Sequence, residues 1–281
     1  MTDIHHRDFD DKFGINDIFG NFHNNIQDSM TMKTFGLIGY PLEHSFSQKY
    51  FTDKFERESL SQHQYVNYPI ERIELINDII ANDSSLTGLN VTIPYKQQVF
   101  PYLDELDETS RKIGAVNTIK IERTAGKIRL KGYNTDAWGF YHSLQPYLKR
   151  KHDSALILGT GGSSKAVAYV LEELGIHFMY ISRNPREKNH IGYPDLCGPV
   201  LYNFQIIINT SPVGMYPHIQ DYPDIPYEFI TKDHILFDLI YNPEETLFLK
   251  KGKEKGALTI NGLKMLHLQA DRSWEIWNSV D

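Results

Sequence analysis

From Lys33 onward the chain alternates between short runs that are apolar throughout and longer stretches in which apolar residues recur every third or fourth position. The first pattern belongs to strands buried on both faces, the second to amphipathic helices. The runs predict strands at Phe35–Gly39, Leu89–Ile93, Ala115–Ile121, Ala155–Leu158, Phe178–Ile181, Ile206–Ile208 and Ile235–Leu239. Helices are predicted at Ser47–Glu58 and Ile70–Ala81. A further helix follows Leu158, where Val167, Val170, Leu171 and Leu174 share one face and Gly175 provides a C-terminal cap. This βαβα order implies an α/β fold, with an open, mostly parallel sheet or sheets and helices on both faces.

Residues 1–31 stand outside the pattern. They are rich in Asn, Asp, His and Phe and lack either period, and the segment after them, "MKTFGLIGY", reads as a start methionine followed by a buried strand. Met32 is taken as the functional beginning of the fold, and the first 31 residues as a flexible extension without an assigned role. The adjacent His5 and His6 lack the spacing of metal ligands, so no metal site is expected.

Composition narrows the chemistry. With 41% hydrophobic residues the chain can bury real cores, and a net charge of −7 argues against nucleic acid as the main partner. A lone cysteine, Cys197, cannot form an intramolecular disulfide. The N-terminus lacks the basic start and apolar core of a signal peptide, and no apolar run approaches a membrane span. The expectation is a cytosolic protein, monomer or homodimer, with small-molecule ligands. The glycosylation patterns at Asn82, Asn90 and Asn209 are then silent.

The strongest local signal is "ALILGTGGSSKAVAYVLEELG", where a strand runs into Gly159-Thr160-Gly161-Gly162 and a helix follows at Ser163. Glycines let the backbone turn sharply and approach a diphosphate, whose charge meets the N–H groups of the helix N-terminus. The third glycine of the dinucleotide pattern is replaced by Ser164, so the strand and helix around the turn carry the argument against a merely structural glycine turn. The next strand ends in Ser182-Arg183-Asn184, with Arg186 and Lys188 beyond. An acidic residue there would hold the ribose diol of NAD, whereas an arginine offers a planar fork of donors to a 2′-phosphate. NADP is favoured over NAD, the alternative being a solvated basic loop.

A nicotinamide cofactor gives "GLNVTIPYK" a purpose. Hydride transfer to a ketone leaves an alkoxide that needs a proton, and Lys96 can supply it. In "GYNTDAWGF", Asp136 stands at a strand-to-helix junction, where it can pair with Lys96 and orient its ammonium. Taken alone, Asp136 reads as a helix cap and Lys96 as a surface lysine.

Together these motifs resemble those of the shikimate dehydrogenase family, from about Lys33 to Trp277. "HSFSQ" implies that Ser45 and Ser47 bind the substrate carboxylate. "NVTIPYK" implies Thr92 as a substrate ligand and Lys96 as the catalytic lysine. "GAVNTI" and "NTDAWGF" bring Asn117 and Asp136 to the substrate hydroxyls. "GTGGSSKA" and "SRNP" match the cofactor loop, with Ser163, and the 2′-phosphate clamp; the family's usual Asn-Arg-Thr clamp stands here as Ser182-Arg183-Asn184. "INTSPVGM", "FDLIYNP" and "NGLKMLHLQA" imply that Thr210, Met215 and Gly262 border the nicotinamide, with Tyr241 there on the substrate side, and that Gln269 holds the substrate.

The resemblance implies a substrate-binding catalytic domain of residues 32–135 and 261–281, a Rossmann-like NADP-binding domain of residues 136–260, and a site in the cleft they form. It implies reversible NADPH-dependent reduction of 3-dehydroshikimate to shikimate, in the aromatic amino-acid (chorismate) pathway. Lys96 would act as proton donor or as electrostatic stabiliser. The alternatives are an NAD-dependent quinate/shikimate dehydrogenase and a non-catalytic NADP-binding sensor, the latter expected to lack the Lys96 and Asp136 pair.

Overall fold

The computed structural model describes residues 31–280 apart from 43–44, 125 and 186. Residues 1–30 of the extension, with His5 and His6, and Arg186 therefore lie outside the described residues. The chain divides into two compact units, one running up to Thr135 and resuming at Ala270, the other Asp136–Gln269.

The first unit contains, in order, β1 (Lys33–Gly39), α1 (Phe46–Arg57), β2 (His63–Pro69), α2 (Ile76–Asn82), β3 (Leu86–Val91), β4 (Glu105–Leu106), α3 (Glu108–Ile113), β5 (Thr118–Thr124) and β6 (Lys127–Tyr133). The strands form one sheet in the order β2-β1-β3-β5-β6-β4. β1, β2 and β3 run parallel, but β5 is antiparallel to both β3 and β6, so this sheet is mixed. The apolar-run reading missed β2, β4 and β6. "KIRLKGY" in β6 alternates charged and apolar residues, the pattern of a strand with one face in water, and it pairs with β5 as a hairpin, Thr124 opposite Lys127.

Successive residues of β1 serve the two faces of the sheet, as the two-residue period of a strand requires. Phe35 and Leu37 pack with Phe51 and Phe55 of α1 and with Ala270 and Trp277, while Ile38 joins Leu89, Ile119 and Ile121 under Ile76 and Ile80 of α2. The predicted helix Ile70–Ala81 begins later than expected, with a 3₁₀ turn at Ile73–Leu75 before α2. β5 likewise begins at Thr118 rather than Ala115.

The remaining elements are α4 (Thr135–Leu144), β7 (Ser154–Leu158), α5 (Gly162–Glu173), β8 (His177–Ser182), β9 (His190–Gly192), α6 (Gly198–Asn203), β10 (Ile206–Asn209), β11 (Ile235–Asp238), α7 (Leu247–Glu254), β12 (Leu258–Ile260) and α8 (Leu263–Asn278). All six strands of the second sheet are parallel, in the order β12-β11-β10-β7-β8-β9. The chain moves outward from β7 to β9, then returns to β10 on the other side of β7. The strand order therefore reverses between β7 and β10, and open parallel sheets bind ligands at such a reversal, beyond the carboxyl ends of the strands.

Candidate active site

Three separated motifs of the first unit meet because β5 is antiparallel to its neighbours. Asn90 of β3 is paired with Thr118 of β5, and Thr118 with Tyr133 of β6, so the end of β3, the beginning of β5 and the end of β6 share one edge. Backbone bonds continue the alignment: Val91 N–H donates to Asn117 O at 2.8 Å and Asn117 N–H to Tyr133 O at 3.0 Å. This edge carries Thr92, Asn117 and Thr135, the residue before Asp136.

Its side chains form a buried hydrogen-bond network. Asn90 Oδ1 accepts from Tyr65 OH at 2.7 Å, and Asn90 Nδ2 donates to Ser273 Oγ at 3.0 Å, Thr118 Oγ1 at 3.2 Å and Asn117 O at 3.3 Å. Asn117 Oδ1 accepts from Thr135 N at 2.7 Å, while its amide donates to Thr135 Oγ1 at 3.0 Å. Ser273, from the last part of α8, lies 2.8 Å from Thr118 Oγ1. Burial raises the Tyr65 pKa, opposed by a hydrogen bond from Ser47. Such a network is rigid because every member would lose a partner if one moved.

Ser45 is half-buried and caps α1, its Oγ accepting from Gln48 N at 3.4 Å, so the helix begins just after it and the hydroxyl hydrogen remains to be donated. Ser47 stands in the first turn. Thr92 is held just beyond β3, its N–H donating to Ile38 O at 2.9 Å and its carbonyl accepting from Tyr95 N at 2.9 Å. Lys96, half-buried, follows in the same turn, and its carbonyl accepts from Val116 N at 2.8 Å, which sets it beside the strand-end residue Asn117.

In the second unit Asp136 occupies the first turn of α4 and is 6% exposed. A carboxylate there is favoured by the helix dipole. α4 and α8 approach closely at Gly139, where a Cβ would lie 2.6 Å from Met265 O and 3.3 Å from Gln269 Cβ. Gln269 is thereby packed one turn along α4 from Asp136, its Nε2 donating to Leu266 O at 3.0 Å.

The glycine loop lies at the strand-order reversal. Gly159 has φ +109°, a conformation that suits glycine, and an added Cβ would come within 3.1 Å of Thr210 Oγ1. Thr210 in turn donates from Oγ1 to Leu158 O at 2.8 Å. Gly161 is the N-cap of α5, and a Cβ there would meet nothing within 4 Å. No acidic residue stands in the first turn, which contains Gly162 and Ser163, so the helix N-terminus is open to an anionic diphosphate. This arrangement fits a dinucleotide.

Ser182 ends β8, and its Oγ accepts from Asn184 N at 3.2 Å, which leaves the hydroxyl hydrogen to donate. Arg183 and Asn184 are exposed beside it, in keeping with a clamp for a phosphate that stays near solvent. Met215 is 44% exposed, and Tyr241 is half-buried, its hydroxyl pKa pushed up by burial. Gly262 is buried against the chain, where a Cβ would lie 2.1 Å from Leu239 O.

Sequence reading did not single out Tyr65, Thr118, Ser273, Asp238 or Thr246. Asp238 carried a signal, as an acid inside the apolar run "ILFDLI". Ser273 carried none, since a serine on a helix is ordinary. Among the described residues no group of His, Cys, Asp and Glu could hold a metal ion, and no helix is long and apolar enough to cross a membrane.

Residues 37–119 match the shikimate dehydrogenase substrate binding domain family. The shikimate dehydrogenase (NADP(+)) of Methanococcus aeolicus is 39% identical over 265 residues, 88% of this chain and 92% of that protein. A shikimate dehydrogenase crystallised in complex with NADP+ superposes with a TM-score of 0.77 at 34% identity, covering 93% of this chain and 94% of its own. A quinate dehydrogenase from Corynebacterium glutamicum in complex with NAD gives a TM-score of 0.77 at 26% identity over 89% of this chain and 95% of its own. Identity at this level over nearly the whole described chain is decisive: the chain belongs to the shikimate dehydrogenase family.

Proposed function

We propose that the chain is an NADP-dependent shikimate dehydrogenase, which reversibly reduces 3-dehydroshikimate to shikimate in the synthesis of chorismate and the aromatic amino acids. The observation that carries the reading is the rigid polar strand edge of the first unit, which presents Thr92, Asn117 and Lys96 on a common frame. A small polyol acid needs such a surface, with several fixed donors and acceptors and one proton source.

NADPH supplies the hydride when bound. Ser45 donates its hydroxyl hydrogen to the substrate carboxylate, Ser47 does so by exchanging its bond to Tyr65 for one to the ligand, and Thr92, Asn117, Asp136, Tyr241 and Gln269 take the substrate's hydroxyl and carbonyl groups. As the carbonyl carbon gains hydride, the oxygen gains a proton from the Lys96 ammonium, which is refilled from solvent, so the net reaction consumes one proton. Thr210, Met215 and Gly262 would border the nicotinamide, Gly159, Gly161, Gly162 and Ser163 would take the diphosphate, and Ser182, Arg183 and Asn184 would hold the 2′-phosphate. With one cysteine in 281 residues, the enzyme suits a reducing compartment, and we place it in the cytosol.

The test is a matrix of four assays on the purified chain, shikimate or quinate with NADP or NAD. Highest kcat/KM for shikimate with NADP supports the proposal. Preference for quinate or NAD sinks it in favour of the quinate/shikimate reading, and NADP binding without turnover would identify a sensor.

A further inference from the structure

Asp238, at the carboxyl end of β11, has no solvent exposure, and none of the roles proposed for the reaction uses it. Its three donors are all uncharged. Asn209 Nδ2 and Ile240 N reach Oδ1 at 3.0 and 3.1 Å, and Thr246 Oγ1 reaches Oδ2 at 2.6 Å. Burial pushes its pKa up to about 7, against the opposing effect of these donors. A carboxylate in a dry site with neutral partners is a costly way to fill space.

Those contacts tie two loops together. Asn209 shapes the first, its Oδ1 accepting from Ser211 Oγ at 2.7 Å and Ser211 N at 3.1 Å, and its Nδ2 also donating to Val213 O at 3.3 Å. That loop carries Thr210 and Met215. The second loop, which carries Tyr241, is held at both ends, by Ile240 N and by Thr246, the N-cap of α7. A backbone bond from Tyr216 N to Asn242 O, 3.2 Å, joins the two loops directly. Gly262 N donates to Ile240 O at 3.0 Å, so the turn before α8 takes its position from the same segment.

We propose that Asp238 is a positioning residue that sets the geometry of the nicotinamide end of the cofactor site by holding the loops 209–216 and 239–246 in register. The proposal rests on the reading of Thr210, Met215, Tyr241 and Gly262 as that end of the site. The adenosine end is built on Ser182-Arg183-Asn184 after β8; the glycine loop between the two ends meets the first loop through Thr210, which donates to Leu158 O, but neither it nor the adenosine end has a bond to Asp238.

This separation provides the test. Binding of NADPH and of 2′,5′-ADP, which carries only the adenosine end, is measured for wild type and Asp238→Ala, with the emission of bound NADPH as a report on the nicotinamide surroundings. Orphaning three buried donors should weaken NADPH about tenfold and shift its emission toward that of the free cofactor, while 2′,5′-ADP changes less than about twofold. Asp238→Asn keeps an acceptor for Asn209 and Ile240 and can donate to Thr246, so it should recover most of the affinity. Equal weakening of both ligands, or no change in either, would overturn the proposal. If Asp238→Ala does not fold, Thr246→Val, which removes one bond to the carboxylate, is read by the same criterion. Turnover is not needed for these measurements, so failure of wild type to reduce 3-dehydroshikimate would sink the proposed function while leaving the role of Asp238 to be decided.

Discussion

Replacing Arg183 by alanine removes the cationic member of the Ser182-Arg183-Asn184 group and leaves the glycine loop and both strand ends in place. Hydrogen bonds to a charged group are worth roughly 1.5–3 kcal/mol, and the exposure of Arg183 at the end of β8 puts it at the screened, lower end of that range. A loss of about 1.5 kcal/mol corresponds to about a tenfold weaker NADP. NAD has no 2′-phosphate and should lose less than about twofold, so the preference for NADP should fall by about fivefold or more. Ser182→Ala should cost less, since its hydroxyl is uncharged. Raising the ionic strength should weaken NADP more than NAD in wild type, and this difference should shrink in the variant. The assay is a pair of steady-state titrations, NADP and NAD against saturating shikimate, at two salt concentrations. If Arg183→Ala lowers kcat/KM equally for both cofactors, the guanidinium supports the loop or stacks on adenine, and its assignment to the phosphate is wrong.

Three other perturbations address the frame of the site. Asn90→Leu should lower stability by about 2–4 kcal/mol, because it removes the acceptor of the buried Tyr65 hydroxyl and a shared partner of Thr118 and Ser273; a thermal melt unchanged from wild type would contradict the network. Gly262→Ala should displace the turn before α8, given the 2.1 Å approach of a Cβ to Leu239 O, and is expected to lower both melting temperature and NADPH affinity, whereas a fully wild-type profile would refute the contact. The Asp238 carboxyl, with a folded pKa of about 7 against 3.8, favours folding fully below pH 3.8 and loses that contribution as pH rises through 7. This loss amounts to roughly 4 kcal/mol at most, so the stability of Asp238→Asn relative to wild type should increase between pH 5 and pH 8 in urea titrations; a constant difference would show that the carboxylate does not titrate there.

The second unit was the more legible from sequence. β7, the glycine turn and α5 are contiguous, each is specified by its own residues, and the four inner strands of this parallel sheet are written as apolar runs, whereas the short edge strands β9 and β12 were missed. The sheet of the first unit was less so, since β2 and β6 carry polar residues toward solvent and the mixed strand order depends on pairing partners far apart in the chain. Lys96, Asn117 and Asp136 could be named as candidates because they sit in motifs. The groups that fix the frame could not, because the bond from Asn90 to Ser273 joins residues 183 positions apart and Thr118 reads as an ordinary strand residue. The expected strand Ala115–Ile121 begins late because Val116 N donates to Lys96 O, in the turn after β3, rather than to a neighbouring strand.

The central claim, that this strand edge carries out proton-coupled reduction of a ketone through Lys96, is tested most directly by the kinetics of Lys96→Ala with 3-dehydroshikimate and NADPH. A group that acts mainly in the transition state should, when removed, lower kcat by about 10²-fold or more, with KM for 3-dehydroshikimate changed only a few-fold. Near-normal kcat with a large rise in KM would contradict the account and reduce Lys96 to a binding residue.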